Sequence, residues 1–120
     1  MEEKTESGII KISDEAIASI ASIAAKKVDG VMDLDGGAVV SIAEMLGVKN
    51  ASKGIKVDMG TDSVSLDLNI VVSFGTDISD VASKVQESVR DSVESMTGLT
   101  VLKANINVNS IRPPKQDKDK

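Results

Sequence analysis

Ser63-Val64-Ser65-Leu66-Asp67-Leu68-Asn69-Ile70-Val71-Val72-Ser73-Phe74 (SVSLDLNIVVSF) alternates between apolar and polar residues with one exception, Val71. Side chains on a strand point to opposite faces in turn, so this segment has one dry face (Val64, Leu66, Leu68, Ile70, Val72, Phe74) and one wet face (Ser63, Ser65, Asp67, Asn69, Ser73). A second segment near the end divides the same way. There Leu102, Ala104, Ile106 and Val108 share one parity and Asn105, Asn107 and Asn109 the other.

Between these strands lies a helix. Val81, Val85, Val89 and Val93 recur every four residues, with Ile78, Ala82 and Met96 beside them, and Lys84, Glu87, Arg90, Asp91 and Glu94 on the other face. Thr76 or Asp77 caps its start and Gly98 its end. Valine is a middling helix former, so packing must hold this helix. An earlier helix begins after Gly8–Ile12, a short apolar run suited to a strand. Ser13 stands at its N-cap, Asp14 and Glu15 in the first turn, Ile17, Ile20, Ala21 and Ala24 on one face, and Gly30 at its stop. The two helices share a pattern of cap, helix and glycine, which capping rules produce without duplication.

Val31–Leu34 adds a short extended piece, and Ile55, Val57 and Met59 alternate as a strand that Gly60-Thr61-Asp62 turns into the long one. The fold expected is α+β: a two-layer sandwich of a small, mainly antiparallel sheet with two long helices packed on one face. Residues 1–7 and 112–120 are charged, the second stretch holds Pro113 and Pro114, and both read as disordered tails around a domain at 8–111.

At 120 residues the chain makes one domain, with 41% hydrophobic but only 1% aromatic residues, so its core is aliphatic with Phe74 as the only ring. Cysteine and histidine are absent. That removes disulfides, thiolate metal sites, thiol nucleophiles and the usual proton shuttle, and any enzyme would have to work with Asp, Glu, Lys or Ser. The net charge of −5 repels nucleic acid and anionic lipid at long range. No run approaches the ~18 apolar residues of a membrane span, and Met1–Ser7 lacks the features of a secretory leader, so a cytoplasmic protein is expected.

Motifs for chemistry are correspondingly poor. Asp33, Asp35 and Glu44 fit three positions of a calcium loop, but Gly37 and Ala38 fail at the fifth and sixth, so no metal is expected. The glycines form no phosphate-cradling pattern, and Asp14/Glu15, Asp77/Asp80 and Asp91/Glu94 are explained by helix dipoles and solvation. An open sheet face of Asn, Ser and Asp lacks the aromatic rings on which RNA-binding sheets stack bases. No catalytic residue and no cofactor are expected. The candidate contacts with a protein partner are Val39, Val40, Ile42, Met45 and Leu46, within a stretch (38–46, AVVSIAEML) too apolar all round for one small core, and the uncharged series Asn105, Asn107 and Asn109.

The ordered features from "GIIKISDEAIASIASIAAKKVDGV" (8–31) through "KGIKVDMGTDSVSLDLNIVVSFGTDISDVASKVQESVRDSVESMTGLTVLKANINVNSI" (53–111) resemble the bacterial alkaline shock protein, or envelope stress response, family. The parts that carry the likeness are Val28-Asp29-Gly30-Val31, Lys53-Gly54-Ile55, Phe74-Gly75 and Met96-Thr97-Gly98-Leu99, in that order. The resemblance implies a small cytoplasmic α+β domain of Gram-positive-type bacteria tied to cell-envelope homeostasis. It implies a non-enzymatic interaction or scaffold protein that self-associates as a homo-oligomer or binds a membrane-anchoring partner. The alternative is a regulator docking on an enzyme of fatty-acid precursor synthesis. No catalytic residues come with the resemblance.

Overall fold

A computed structural model describes residues 2–34 and 54–113. In chain order the elements are β1 (Glu2–Thr5), β2 (Gly8–Lys11), α1 (Asp14–Lys26), β3 (Val31–Leu34), β4 (Ile55–Met59), β5 (Ser63–Ser73), α2 (Ile78–Thr97) and β6 (Thr100–Arg112). The stretch 38–46 and its candidate residues Val39, Val40, Ile42, Met45 and Leu46 lie outside the described residues, as does most of the weighed calcium loop.

β5 is the spine. β6 runs parallel along one of its edges from Ser63↔Thr100 to Ser73↔Arg112. On the other edge β4 pairs antiparallel with Val64–Leu68 and β3 antiparallel with Ile70–Val72, so these two short strands lie end to end. The sheet is mainly antiparallel by number of pairings, but its longest pairing is parallel. That follows from connectivity: α2 carries the chain back to the start of β5, as two adjacent strands joined by a helical crossover require.

The dry face of β5 is where the alternation places it. Val64, Leu66, Leu68, Ile70 and Val72 are buried in one cluster with Ile17, Val81, Val85, Val89 and Val93, and Ile20 packs against it. Ala18, Ala21, Ala24 and Ala25 make α1 slim where it meets α2. The helices are also tied by a hydrogen bond from Ser88 Oγ to the Ala24 carbonyl, 2.9 Å. α2 begins at Asp77, whose side chain accepts from Asp80 N, and ends at Gly98 with φ +77.

Ser13 caps α1 by accepting from Ala16 N at 3.1 Å. Ser13→Ala leaves that donor to solvent and is expected to destabilise the domain by about 1 kcal/mol, measured as a lower urea midpoint with an unchanged slope.

Four expectations are corrected. Gly30 does not stop α1, which ends at Lys26 with Lys27 as a right-handed cap. Gly30 instead turns the chain into β3 at φ +100, pressed against α2. Phe74 is 71% exposed, because β5 has run past the helix layer by then, so the core contains no ring. Leu102 is exposed because it is the extra residue of a β-bulge between Val101 and Lys103, which breaks the parity of β6. Ile78 and Met96 on α2 lie at its ends and are exposed, outside the valine stripe.

The stretch read as an N-terminal tail contributes β1, paired antiparallel with β2 from Glu2↔Lys11 to Thr5↔Gly8. Thr5 closes the turn, its hydroxyl donating to the Gly8 carbonyl and accepting from Ser7 N, both at 3.2 Å. This two-stranded ribbon is separate from the main sheet and leaves Ile9 and Ile10 about half exposed.

Candidate interaction surface

The face of the sheet turned away from the helices is built in rows by the strand registers. Asp58, Ser65 and Lys103 form one row across β4, β5 and β6; Lys56, Asp67 and Asn105 form the next; Asn69 and Asn107 follow. Acidic and basic groups alternate, and the amides and hydroxyls between them are neutral. One bond crosses the face: Asn105 Nδ2 donates to Asp67 Oδ1 at 2.9 Å, orienting the amide.

The three candidate asparagines divide. Asn105 and Asn107 are exposed on this face, opposite Asp67 and Asn69. Asn109 is exposed too, but it is the extra residue of a second bulge between Val108 and Ser110, and Ser110 takes its place opposite Val71. Val71, the exception in the alternation, is fully buried yet stands apart from the helix-side core cluster. Val71 shares its face with Asn69 and Ser73, so an apolar side chain interrupts the wet side.

Among the described residues, the helix side bears two small surface grooves. One, of about 110 Å³, runs between α1 and α2 and is lined by Ile20, Ile23, Ala24, Lys27, Ser92 and Met96. The other, of about 210 Å³, lies where the start of α1 meets β4, at Asp14, Glu15, Ile55, Lys56 and Val57. Both fall short of the ~300 Å³ at which small-molecule pockets begin. Among the described residues no three of Asp and Glu gather as a metal site, and no helix is long and apolar enough to cross a membrane.

The sequence reading overlooked the outer edge of β6. Its signal was nevertheless present: once Asn105 and Asn107 are read as one strand with Ala104–Ile111, that stretch carries no charge at all. Recognising it as an edge required the strand order, which depends on the parallel return of β6.

Comparisons with known proteins agree with this architecture. In Bacillus subtilis (strain 168), YqhY is 39% identical over 110 residues, covering 92% of this chain and 82% of that protein. YloU of the same strain is 35% identical over 114 residues, covering 93% and 95%. A protein of Streptococcus pyogenes serotype M3 (strain ATCC BAA-595 / MGAS315), named stress response regulator gls24 homolog, is 26% identical over 110 residues; this chain spans 62% of its length. Among solved structures, a MamM C-terminal domain in its copper form superposes with a TM-score of 0.53 at 14% identity, covering 88% of this chain and 93% of that one, a likeness of fold alone. Residues 2–113 match a family described as having a cell envelope-related function. The chain therefore belongs to the alkaline shock protein 23 family, the family of cell-envelope function that its ordered motifs resemble.

Proposed function

We propose that this protein is a non-enzymatic, cytoplasmic interaction module of the cell-envelope stress response, acting through self-association or by binding a membrane-anchored partner. The observation that carries the reading is the wet sheet face itself. It is broad, ordered by strand register and balanced in charge, and its central Asn105 is oriented by Asp67. Amides and hydroxyls held on rigid strands are good recognition groups and poor acids, bases or nucleophiles. The family's envelope-related function and the relative named as a stress response regulator supply the biological setting.

The test is affinity capture from native lysate with the full chain as bait, beside an Asn105→Lys/Asn107→Lys variant and a Val40→Glu/Leu46→Glu variant. The reading expects one specific partner. Loss with the first variant assigns contact to the sheet face, and loss with the second assigns it to 38–46. Recovery of an enzyme of fatty-acid precursor synthesis would replace the scaffold role by a regulatory one. No specific partner under any condition would overturn the reading.

A further inference from the structure

α1 and α2 run antiparallel, since Gly30 just past the end of α1 meets Val81 near the start of α2, and Ala24 meets Ser88 further along. Ile20, Ile23, Ala24 and Lys27 follow helical spacing along one side of α1, as do Ser88, Ser92 and Met96 along one side of α2. The groove of about 110 Å³ opens where these two rows face each other. Ile23 and Met96 flank it at 60% and 70% exposure. The gap exists because α2 carries serine at 92, where a leucine would close it. The bond from Ser88 Oγ to the Ala24 carbonyl holds the two walls together, so the groove is preformed.

Exposed aliphatic residues scattered singly need no explanation, but two on facing helices with an opening between them form a docking surface. Its polar groups are also unspent. Lys26 pairs with Asp33 at 3.7 Å, whereas among the described residues Lys27 has no ion pair and Ser92 Oγ no hydrogen bond. These features restrict what fits. The volume approaches the ~150 Å³ of an apolar cavity that holds one benzene ring, enough for a single aliphatic side chain. Both walls are helices whose backbone bonds are made internally, so an extended peptide would find no partners there for its N–H and C=O groups. A helix brings its own backbone satisfied and presents side chains alone. Lys27 calls for an anion beside the aliphatic group.

We propose that this groove docks an amphipathic helix of another protein, with one aliphatic side chain seated beside Ser92 and a carboxylate on Lys27. Carboxylates favour the first turn of a helix, as α1 itself shows by opening on Asp14 and Glu15 and closing on Lys26 and Lys27. The partner helix therefore lies antiparallel to α1, with its acidic residue three or four positions ahead of its aliphatic anchor. The anchor supplies affinity, and the exposed ion pair supplies orientation. The groove lies on the opposite side of the sheet from the wet face, so the inference goes beyond the reading above and adds a second contact surface.

The test is selection of displayed helical peptides of about 15 residues, matched to the ~20 Å length of α1, against the full chain. Enrichment of Leu, Ile or Met three or four residues after Asp or Glu is expected. By fluorescence anisotropy the selected peptides should bind Ile23→Asp and Ser92→Leu at least about tenfold more weakly, with the circular dichroism of both variants unchanged. They should bind Asn105→Lys/Asn107→Lys, altered on the wet face, as they bind the wild type. Repeating the selection on Lys27→Glu should replace the acidic residue by Lys or Arg, a reversal that a merely structural Lys27 would not produce. No enrichment, peptides that bind Ile23→Asp and Ser92→Leu as well as the wild type, or an acidic residue retained against Lys27→Glu would overturn the proposal. Two other occupants would overturn it as well. A dimer in sedimentation that Ser92→Leu abolishes would give the groove to a second copy, and peptide binding seen only with Val40→Glu/Leu46→Glu would give it to the chain's own stretch 38–46.

Discussion

Leu68→Asp is expected to leave no cooperatively folded protein. Leu68 is fully buried at the centre of β5, paired with Ile55 on one side and Ile106 on the other, beneath the valine stripe of α2. Replacing it removes apolar contact worth roughly 2–3 kcal/mol and places a carboxylate among groups that cannot solvate it. The sum exceeds about 4 kcal/mol, a large share of the ~5–15 kcal/mol that holds a domain of this kind. Circular dichroism and a thermal scan are the measurements: loss of the transition is expected. Asn107→Asp, one strand away on the exposed face, is the control and should alter stability by less than about 0.5 kcal/mol. A soluble, cooperative Leu68→Asp protein would show that the packed face has been misassigned.

The second large effect belongs to Gly30. At φ +100 its backbone is in a region that side chains rarely adopt, and a Cβ there would sit 2.8 Å from Val81 Cγ2 and 3.2 Å from Thr76 Cγ2. Val81 cannot yield easily, since it is packed into the core at the start of α2. Gly30→Ala therefore combines backbone strain of about 1–2 kcal/mol with overpacking of about 1–3 kcal/mol. A drop of roughly 2–5 kcal/mol in unfolding free energy is expected from urea titration. Gly75→Ala separates the two contributions, because Gly75 has nearly the same φ of +99 but open space around its missing Cβ. It should lose only the strain term.

These two residues illustrate what a sequence discloses about this fold. Leu68 was legible because a strand's alternation and a helix's four-residue spacing are local patterns, and the buried sets of β5 and α2 follow from them directly. The caps Ser13, Asp77 and Gly98 were legible for the same reason. Gly30 was legible only as a break: its contact with Val81 depends on α2, far along the chain, so its closest constraint has no local trace. The bulges at Leu102 and Asn109 were hidden because neither carries the glycine that marks some bulges, and each shifts the parity of the residues beyond it. Phe74 continued the dry parity of β5, but burial also requires a helix overhead, and there is none at the strand's end. Glu2–Thr5 read as a polar tail because a strand with no apolar face is recognisable only through its partner.

The candidate surface was legible in kind more than in place. The asparagine series and the lack of reactive side chains pointed to recognition, and Asn105 and Asn107 do lie on the open face. Which strand borders β5 on the side away from β3 and β4 could not be read from spacing, since it depends on β6 returning parallel to β5.

The central claim is that this chain works by binding protein through its open sheet surface. Crosslinking in living cells, followed by mass spectrometric mapping of the linked peptides, tests it most directly. The account predicts recurrent crosslinks from lysines on or beside that surface, Lys56 and Lys103, to a defined partner, whether another copy of the chain or a second protein. Crosslinks confined to contacts within a single uncomplexed chain would contradict it.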